Sequence, residues 1–209
     1  MDNFIFDVDQ TLVDSYSIEK ETLRKALRIV MHKEYTEADM NQLTVLPTET
    51  FFQSIGINPH SHRMQEINRE WGRLLEKEPI PFFPEMKETL QFLKKQKCFL
   101  AIATSRTKTE LDELLCLKEL LPFFSSIVTS DMIEHAKPHP ESLLKIVQEN
   151  ALVCDKTIYI GDALGDQIAA KAAGISFGYA AWGKENMLES ADYTWEKPSE
   201  IQSTFFKRK

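Results

Sequence analysis

Apolar residues along this chain follow two rhythms. Short unbroken runs that end abruptly in polar residues occupy 3–8, 98–103, 126–130, 157–160 and 175–180, and these read as buried strands. Residues 191–195 read as a further strand at a sheet edge. Elsewhere apolar positions recur every three or four residues. Leu23, Ala26, Leu27 and Val30 form such a helical stripe. Thr36 stands before Glu37-Ala38-Asp39 as an N-cap would, Pro47 to Phe52 reads as a helix ending near Gly56, and Ser61 to Lys77 as another. No strand is legible between Ser15 and Pro79, so this stretch is expected to be an all-helical insertion of about four short helices. Beyond it, helices expected at 84–95, 107–118, 139–149 and 163–173 alternate with strands, Gly174 caps the last of these, and a final helix starts near Pro198. Such alternation predicts an α/β protein with a Rossmann-like parallel sheet and helices on both faces. Right-handed crossovers then bring the carboxyl ends of the strands to one edge, where ligands bind. The expected organisation is a core of residues 1–14 and 80–209, interrupted by a helical domain of residues 15–79.

The polar residues that close the strands carry the chemistry. Phe4-Ile5-Phe6 runs into Asp7-Val8-Asp9-Gln10-Thr11. Side chains at i and i+2 share a face while a strand lasts, and two acids crowded at its end need a cation or a shared proton. Alone, the pair reads equally well as a turn with two solvated acids. Three later segments change this. Residues 98–103 run into Thr104-Ser105-Arg106; Ala136-Lys137-Pro138-His139-Pro140-Glu141 sets a lysine before a helix start; and Thr157-Ile158-Tyr159-Ile160-Gly161-Asp162-Ala163-Leu164-Gly165-Asp166 ends a strand in G-D-x-x-x-D. In this order and context the four segments resemble the motifs of the haloacid dehalogenase-like superfamily, over most of the chain. The resemblance implies a Rossmann-like core with a small cap domain, here of the all-helical type inserted after the first strand.

It also implies roles. Asp7 is expected as the nucleophile that forms an aspartyl-phosphate, and Asp9 as the general acid and then base. Mg²⁺ is the expected cofactor, held by Asp7, by the Asp9 backbone carbonyl and by Asp162, with Asp166 in an outer shell acting partly through Lys137. Thr104, Ser105 and Lys137 are expected to bind the phosphate, with the lysine offsetting negative charge. Simple N-capping, by Ser105 or Thr107 in one loop and by Asp162 in the other, is compatible with these roles. Thr11 is expected to bond locally in its turn. Dehalogenating members lack an acid at the place of Asp9, so its presence favours phosphate esters. Gln10 departs from the glycine the family has there, a residue that tolerates conformations glutamine resists. Arg106 reads as a surface residue and the five histidines show no ligand spacing. Thr44, Thr48 and Glu49, around Leu46-Pro47, are candidate substrate contacts or merely capping and solvated residues; Arg63, Arg69 and Arg73 read as the charged face of an amphipathic helix.

Charge and cysteine content narrow the partners. A net charge of −7, with no basic arm or stripe, argues against nucleic acid and anionic membranes; Lys207-Arg208-Lys209 reads as a solvated tail. Three cysteines without metal-type spacing imply no disulfide framework, which suits a cytoplasmic location. Neither a signal peptide nor an apolar run of membrane-spanning length is visible. The expectation is a Mg²⁺-dependent phosphatase for a small phosphorylated metabolite, resembling the phosphoglycolate phosphatase-like and pyrophosphatase-like branch, with monomer or dimer left open. A phosphomutase of the β-phosphoglucomutase type is the alternative, and a non-enzymatic binding protein on the same fold a more distant one.

Overall fold

The computed structural model describes residues 1–45, 48–75, 77–183, 188 and 190–206. Its sheet has six strands, β1 (Asn3–Phe6), β2 (Phe99–Ala103), β3 (Ser126–Val128), β4 (Thr157–Gly161), β5 (Ser176–Ala180) and β6 (Tyr193–Trp195), in the order β3-β2-β1-β4-β5-β6. Every pairing is parallel; Ile5 of β1, for example, stands between Ala101 of β2 and Tyr159 of β4. Successive crossovers therefore leave β1 in opposite directions, and in such sheets ligands bind at the carboxyl end of the strand where this happens.

Period-two alternation explains why the strands are apolar throughout. Phe4, Phe6, Leu100, Ile102, Ile158 and Ile160 join one core, while Ile5, Ala101, Ala103 and Tyr159 join the core on the other face. The first face is covered by α5 (Met86–Lys95) and α9 (Glu200–Phe205), through Met86, Leu90, Leu93 and Ile201. The second is covered by α7 (Glu141–Glu149) and α8 (Leu164–Ala173), through Leu143, Ile146, Ala169 and Ala170. Gly174 ends α8 at φ 69°, a left-handed C-cap.

One expected helix is interrupted. In place of a helix over 107–118, α6 spans Lys108–Glu113 and a 3₁₀ segment follows over Leu115–Glu119. The leucines decide this. Leu111, Leu114, Leu117 and Leu120 are all buried and recur every three residues, the period of a 3₁₀ turn rather than an α-helix. Strand β3 is likewise shorter than 126–130, because Ser130–Met132 turns into a 3₁₀ segment.

The chain divides into two compact units, Met1–Asp14 with Ile80–Lys209, and Ser15–Pro79. Within the first unit, Val13 pairs antiparallel with Phe82, the Asp14 N–H donates to the Pro81 carbonyl at 2.9 Å and the Phe83 N–H to the Leu12 carbonyl at 3.0 Å. The chain thus leaves and re-enters the sheet unit through a closed stem. The second unit holds α1 (Ser15–Met31), α2 (Glu37–Val45), α3 (Thr48–Ser54) and α4 (His62–Leu75). Leu23 and Leu27 of α1 pack with Met40, Phe51, Phe52 and Ile67 in a core of their own, and the Trp71 indole N–H reaches Thr22 Oγ1 at 3.1 Å. Thr36 and Asp39 cap α2 reciprocally: the Thr36 N–H donates to Asp39 Oδ2 at 2.8 Å, and the Asp39 N–H to Thr36 Oγ1 at 3.1 Å.

Candidate active site

Strand β1 stops at Phe6, one residue before the first acid. Asp7 is buried, its N–H still paired with the Ile160 carbonyl at 2.8 Å. Its Oδ1 accepts from Lys137 Nζ at 2.8 Å. The same ammonium donates to Asp166 Oδ1 at 2.8 Å and to the Tyr159 hydroxyl at 3.0 Å. All three lysine protons are therefore engaged. Lys137 lies in the loop after β3, and Asp166 in the first turn of α8. Residues from three strand-terminal segments meet at one ammonium.

Asp7, Asp162 and Asp166 are all buried, and one oxygen of each lies within 4.8 Å of the others. Gly161 makes the arrangement possible. A Cβ there would come within 2.5 Å of Asp166 Oδ2, so only glycine lets that carboxylate fold back over the end of β4. Asp166 Oδ2 also accepts the Ala163 N–H at 3.1 Å. The N-cap position of α8 is Ala163, so N-capping is not the task of Asp162.

The electrostatics follow from burial. Burial pushes the Asp7 carboxyl up to about 7, against the pull of the Lys137 ammonium and with the push of Asp166 and Asp162. Burial also opposes the charge on Lys137, but Asp7 and Asp166 outweigh it and hold the ammonium above its ordinary value. Three buried carboxylates gather with one ammonium, a cluster that a divalent cation would suit. The donors are hard carboxylate oxygens, the set that suits Mg²⁺. Asp7 and Asp162 could hold such an ion, with Asp166 tied back by Lys137 and Tyr159.

Asp9 parts from Asp7. Its two oxygens accept a forked pair from Arg106, Nε to Oδ2 at 2.8 Å and Nη2 to Oδ1 at 2.6 Å. Arg106 is thus no mere surface residue. Its own N–H donates to Thr104 Oγ1 at 3.1 Å, and its carbonyl accepts from the Ser130 N–H at 2.9 Å. Thr104 is buried where β2 ends, and Ser105 beside it is exposed. The cap of α6 is Thr107, in a reciprocal pair with Glu110, so this loop leaves Thr104 and Ser105 out of helix capping. The turn after Asp9 holds Gln10 at φ 56°, in the left-handed region that favours glycine. Gly183 gives it room: a Cβ there would sit 3.0 Å from the Gln10 carbonyl oxygen. Thr11 stabilises its turn through its backbone, with its N–H 3.3 Å from the Val8 carbonyl, and its buried hydroxyl has no hydrogen-bond partner among the described residues.

Two residues of this constellation escaped the sequence reading, Arg106 and Tyr159. A tyrosine in an otherwise aliphatic buried strand was the available signal, since a buried hydroxyl needs a partner. The Tyr159 hydroxyl lies 3.1 Å from both Asp166 Oδ1 and the Ala103 carbonyl. In the helical unit, Glu49 is exposed in the first turn of α3, Thr44 lies in α2 and Thr48 begins α3. Arg73 pairs with Glu70 and Arg63 with Glu66 along α4, and Arg69 is exposed. Leu46, Pro47 and Lys207-Arg208-Lys209 lie outside the described residues.

Comparison with known proteins bears on the family and the fold. Over 97% of its length the chain is 28% identical to the pyrophosphatase PpaX of Anoxybacillus flavithermus, covering 96% of that protein. It is 30% identical to the probable phosphatase IndB of Dickeya dadantii, over 96% of this chain and 89% of that one. A crystal structure of a HAD-superfamily hydrolase from Geobacter sulfurreducens superposes with a TM-score of 0.78 over 98% of this chain and 96% of that one, an agreement of fold at 24% identity. The family model for haloacid dehalogenase-like hydrolases matches residues 4–180. The six-stranded parallel sheet, the residues gathered at its carboxyl edge and this match together show that the chain belongs to the haloacid dehalogenase-like hydrolases, a family of enzymes.

Proposed function

We propose that the protein is a Mg²⁺-dependent phosphatase that hydrolyses a small phosphate ester or anhydride through an aspartyl-phosphate on Asp7. The observation that carries the reading is Lys137 Nζ bridging Asp7 and Asp166 at 2.8 Å each, with Asp162 in the same buried cluster. The names of the relatives, a pyrophosphatase and a probable phosphatase, support the substrate class.

Asp7 has one oxygen on Lys137, which leaves the other to attack phosphorus. Lys137, fixed by three acceptors, lies beside the position where charge builds on the transferred group. Thr104 and Ser105 offer hydroxyl donors to its oxygens at the end of β2. As a carboxylate Asp9 accepts the Arg106 fork on both oxygens, so it takes up a proton and leaves the fork before it protonates the leaving oxygen, and it later takes a proton from the attacking water. Mg²⁺, when bound by Asp7, Asp162 and the Asp9 carbonyl, supplies charge neutralisation that the single lysine cannot. In this reading the helical unit, inserted directly after the motif-bearing turn, is the cap domain of the family. Three free cysteines support a reducing, cytoplasmic setting, and no helix among the described residues is long and apolar enough to cross a membrane.

The test is phosphate release from p-nitrophenyl phosphate and from pyrophosphate, with and without Mg²⁺, beside an Asp7→Asn variant. Asp7→Asn is expected to reduce turnover at least about 1,000-fold, since it removes the nucleophile itself. Equal rates in the two proteins would overturn the mechanism. Incubation with a sugar 1-phosphate separates hydrolysis from transfer: free phosphate supports the phosphatase, and a sugar 6-phosphate would favour a mutase.

A further inference from the structure

Away from the carboxylate cluster, a second group of ligand-bearing side chains meets in the loop before α7. The rings of His135 and His139 lie 4.7 Å apart, centroid to centroid, tilted by 37°. Glu141 opens α7, and its Oε2 lies 2.9 Å from His135 Nδ1 and 3.9 Å from His139 Nδ1. One donor atom from each residue falls within 4.8 Å of the others. The sequence gives no helical reason for this meeting. A turn does: the His139 N–H donates to the Ala136 carbonyl at 3.0 Å, which folds His139 back over His135.

The cluster is set up to take a cation. Glu141 accepts the Glu134 N–H on Oε1 at 2.8 Å and the His135 N–H on Oε2 at 2.9 Å. Those bonds and the His135 ring hold its carboxyl below the usual range, so it stays ionised. An ion pair between His135 and Glu141 explains one contact of the group. It does not explain His139, whose Nδ1 at 3.9 Å is beyond hydrogen-bond reach of the same oxygen. In a tetrahedral zinc site, with bonds of about 2.0–2.1 Å, neighbouring ligand atoms stand roughly 3.3 Å apart. The two separations of 2.9 and 3.9 Å straddle that spacing. Both rings are exposed, so water has access to the remaining position.

We infer that His135, His139 and Glu141 form a binding site for a divalent transition-metal ion of the Zn²⁺ class. Two imidazoles and a carboxylate favour such ions over Mg²⁺, which prefers all-oxygen sites. The two histidines flank Lys137 by two residues on either side, so a bound ion ties down the backbone around it and leaves its ammonium on Asp7.

Metal-stripped protein titrated calorimetrically with ZnCl₂, in a large excess of Mg²⁺ that occupies the carboxylate cluster, provides the test. The wild type is expected to show one saturable Zn²⁺ site per chain, and Asp162→Asn to retain it. His139→Gln alone and His135→Gln/His139→Gln are expected to bind at least about tenfold more weakly. Both substitutions fall on exposed side chains, and unfolding curves in a chelator, matching wild type, establish that the variants are folded. No saturable binding by the wild type, unchanged affinity in the double variant, or loss of the site in Asp162→Asn would each overturn the assignment.

Discussion

Arg106 and Asp9 stand 97 positions apart in sequence, yet the arginine grips both oxygens of the acid. Under the proposed mechanism that grip holds the Asp9 carboxylate in place between its protonation steps. Arg106→Ala is therefore expected to lower kcat for an alkyl phosphate about tenfold, a fraction of the factor that general acids contribute. Turnover of p-nitrophenyl phosphate, whose leaving group needs no proton, is expected to fall much less. Arg106→Lys should restore only part of the difference, since an ammonium cannot form the fork. Equal losses on both substrates would show that Arg106 serves structure alone. Gln10 poses a different question. The sequence shows glutamine where the family has glycine, and the backbone there is still at φ 56°. Gly183 leaves room for the Gln10 carbonyl, while the strain of the left-handed backbone stays with Gln10 itself. Gln10→Val, with a β-branched side chain, is expected to cost about 1–3 kcal/mol in denaturant unfolding. Gln10→Gly is expected to change stability by less than about 1 kcal/mol, relief of strain offsetting the greater entropy of the unfolded chain. Asp7, Lys137, Asp162 and Asp166 were legible as a group because each follows a strand of a parallel sheet. Arg106 and Tyr159 were not, because their partners depend on distances between strands that no local pattern encodes.

Periodicity located the helices and strands well wherever one period dominated. Strands β1, β2, β4 and β5 are apolar on both faces, and α8 ends at its glycine, as the sequence suggested. The reading failed at 107–118, where a leucine every third residue satisfies a loose helical template and yet fits a 3₁₀ turn better. Capping was legible where a hydroxyl and an acid stand three apart, as Thr36 and Asp39 do. Thr36→Ala is expected to lower stability by about 1 kcal/mol, by freeing the Asp39 N–H. This pair also sets a pH dependence. The Thr36 backbone N–H, and then its hydroxyl, hold the Asp39 carboxyl below its ordinary 3.8. Its folded value is thus depressed relative to the unfolded chain. The stabilisation is complete above 3.8 and is lost as the pH falls through the folded value. Unfolding curves taken from neutral pH to below 3.8 are expected to show a shallower acid decline in Asp39→Asn than in wild type. Parallel declines would remove Asp39 from the acid response.

At the scale of the whole molecule, the strand order β3-β2-β1-β4-β5-β6 turns sequence into chemistry. Because β1 is central, with β2 on one side and β4 on the other, the residues that follow these strands converge even though the helical unit separates the first of them from the rest. Convergence has an electrostatic cost. Asp7, Asp162 and Asp166 are buried together beside the Lys137 ammonium, and burial, with the push of Asp166 and Asp162, raises the Asp7 carboxyl to about 7. The push of Asp166 and Asp162 on the Asp7 carboxyl is repulsion that a cation would relieve, and a divalent ion that binds only the folded chain stabilises it by mass action. At a concentration of 100 times its dissociation constant, Mg²⁺ is expected to raise the unfolding free energy by about 2.7 kcal/mol. Asp162→Asn removes one of the crowded charges and one ligand together. Its metal-free form is expected to unfold at a higher temperature than metal-free wild type, and Mg²⁺ is expected to raise it little further. These two shifts have opposite signs relative to wild type, so thermal unfolding of both proteins with and without Mg²⁺ separates the cation site from a general effect of salt. If Mg²⁺ raises the unfolding temperature of wild type and Asp162→Asn equally, the carboxylates are not its site. Repulsion relieved by a cation is then no longer the reason the acids are gathered at this edge.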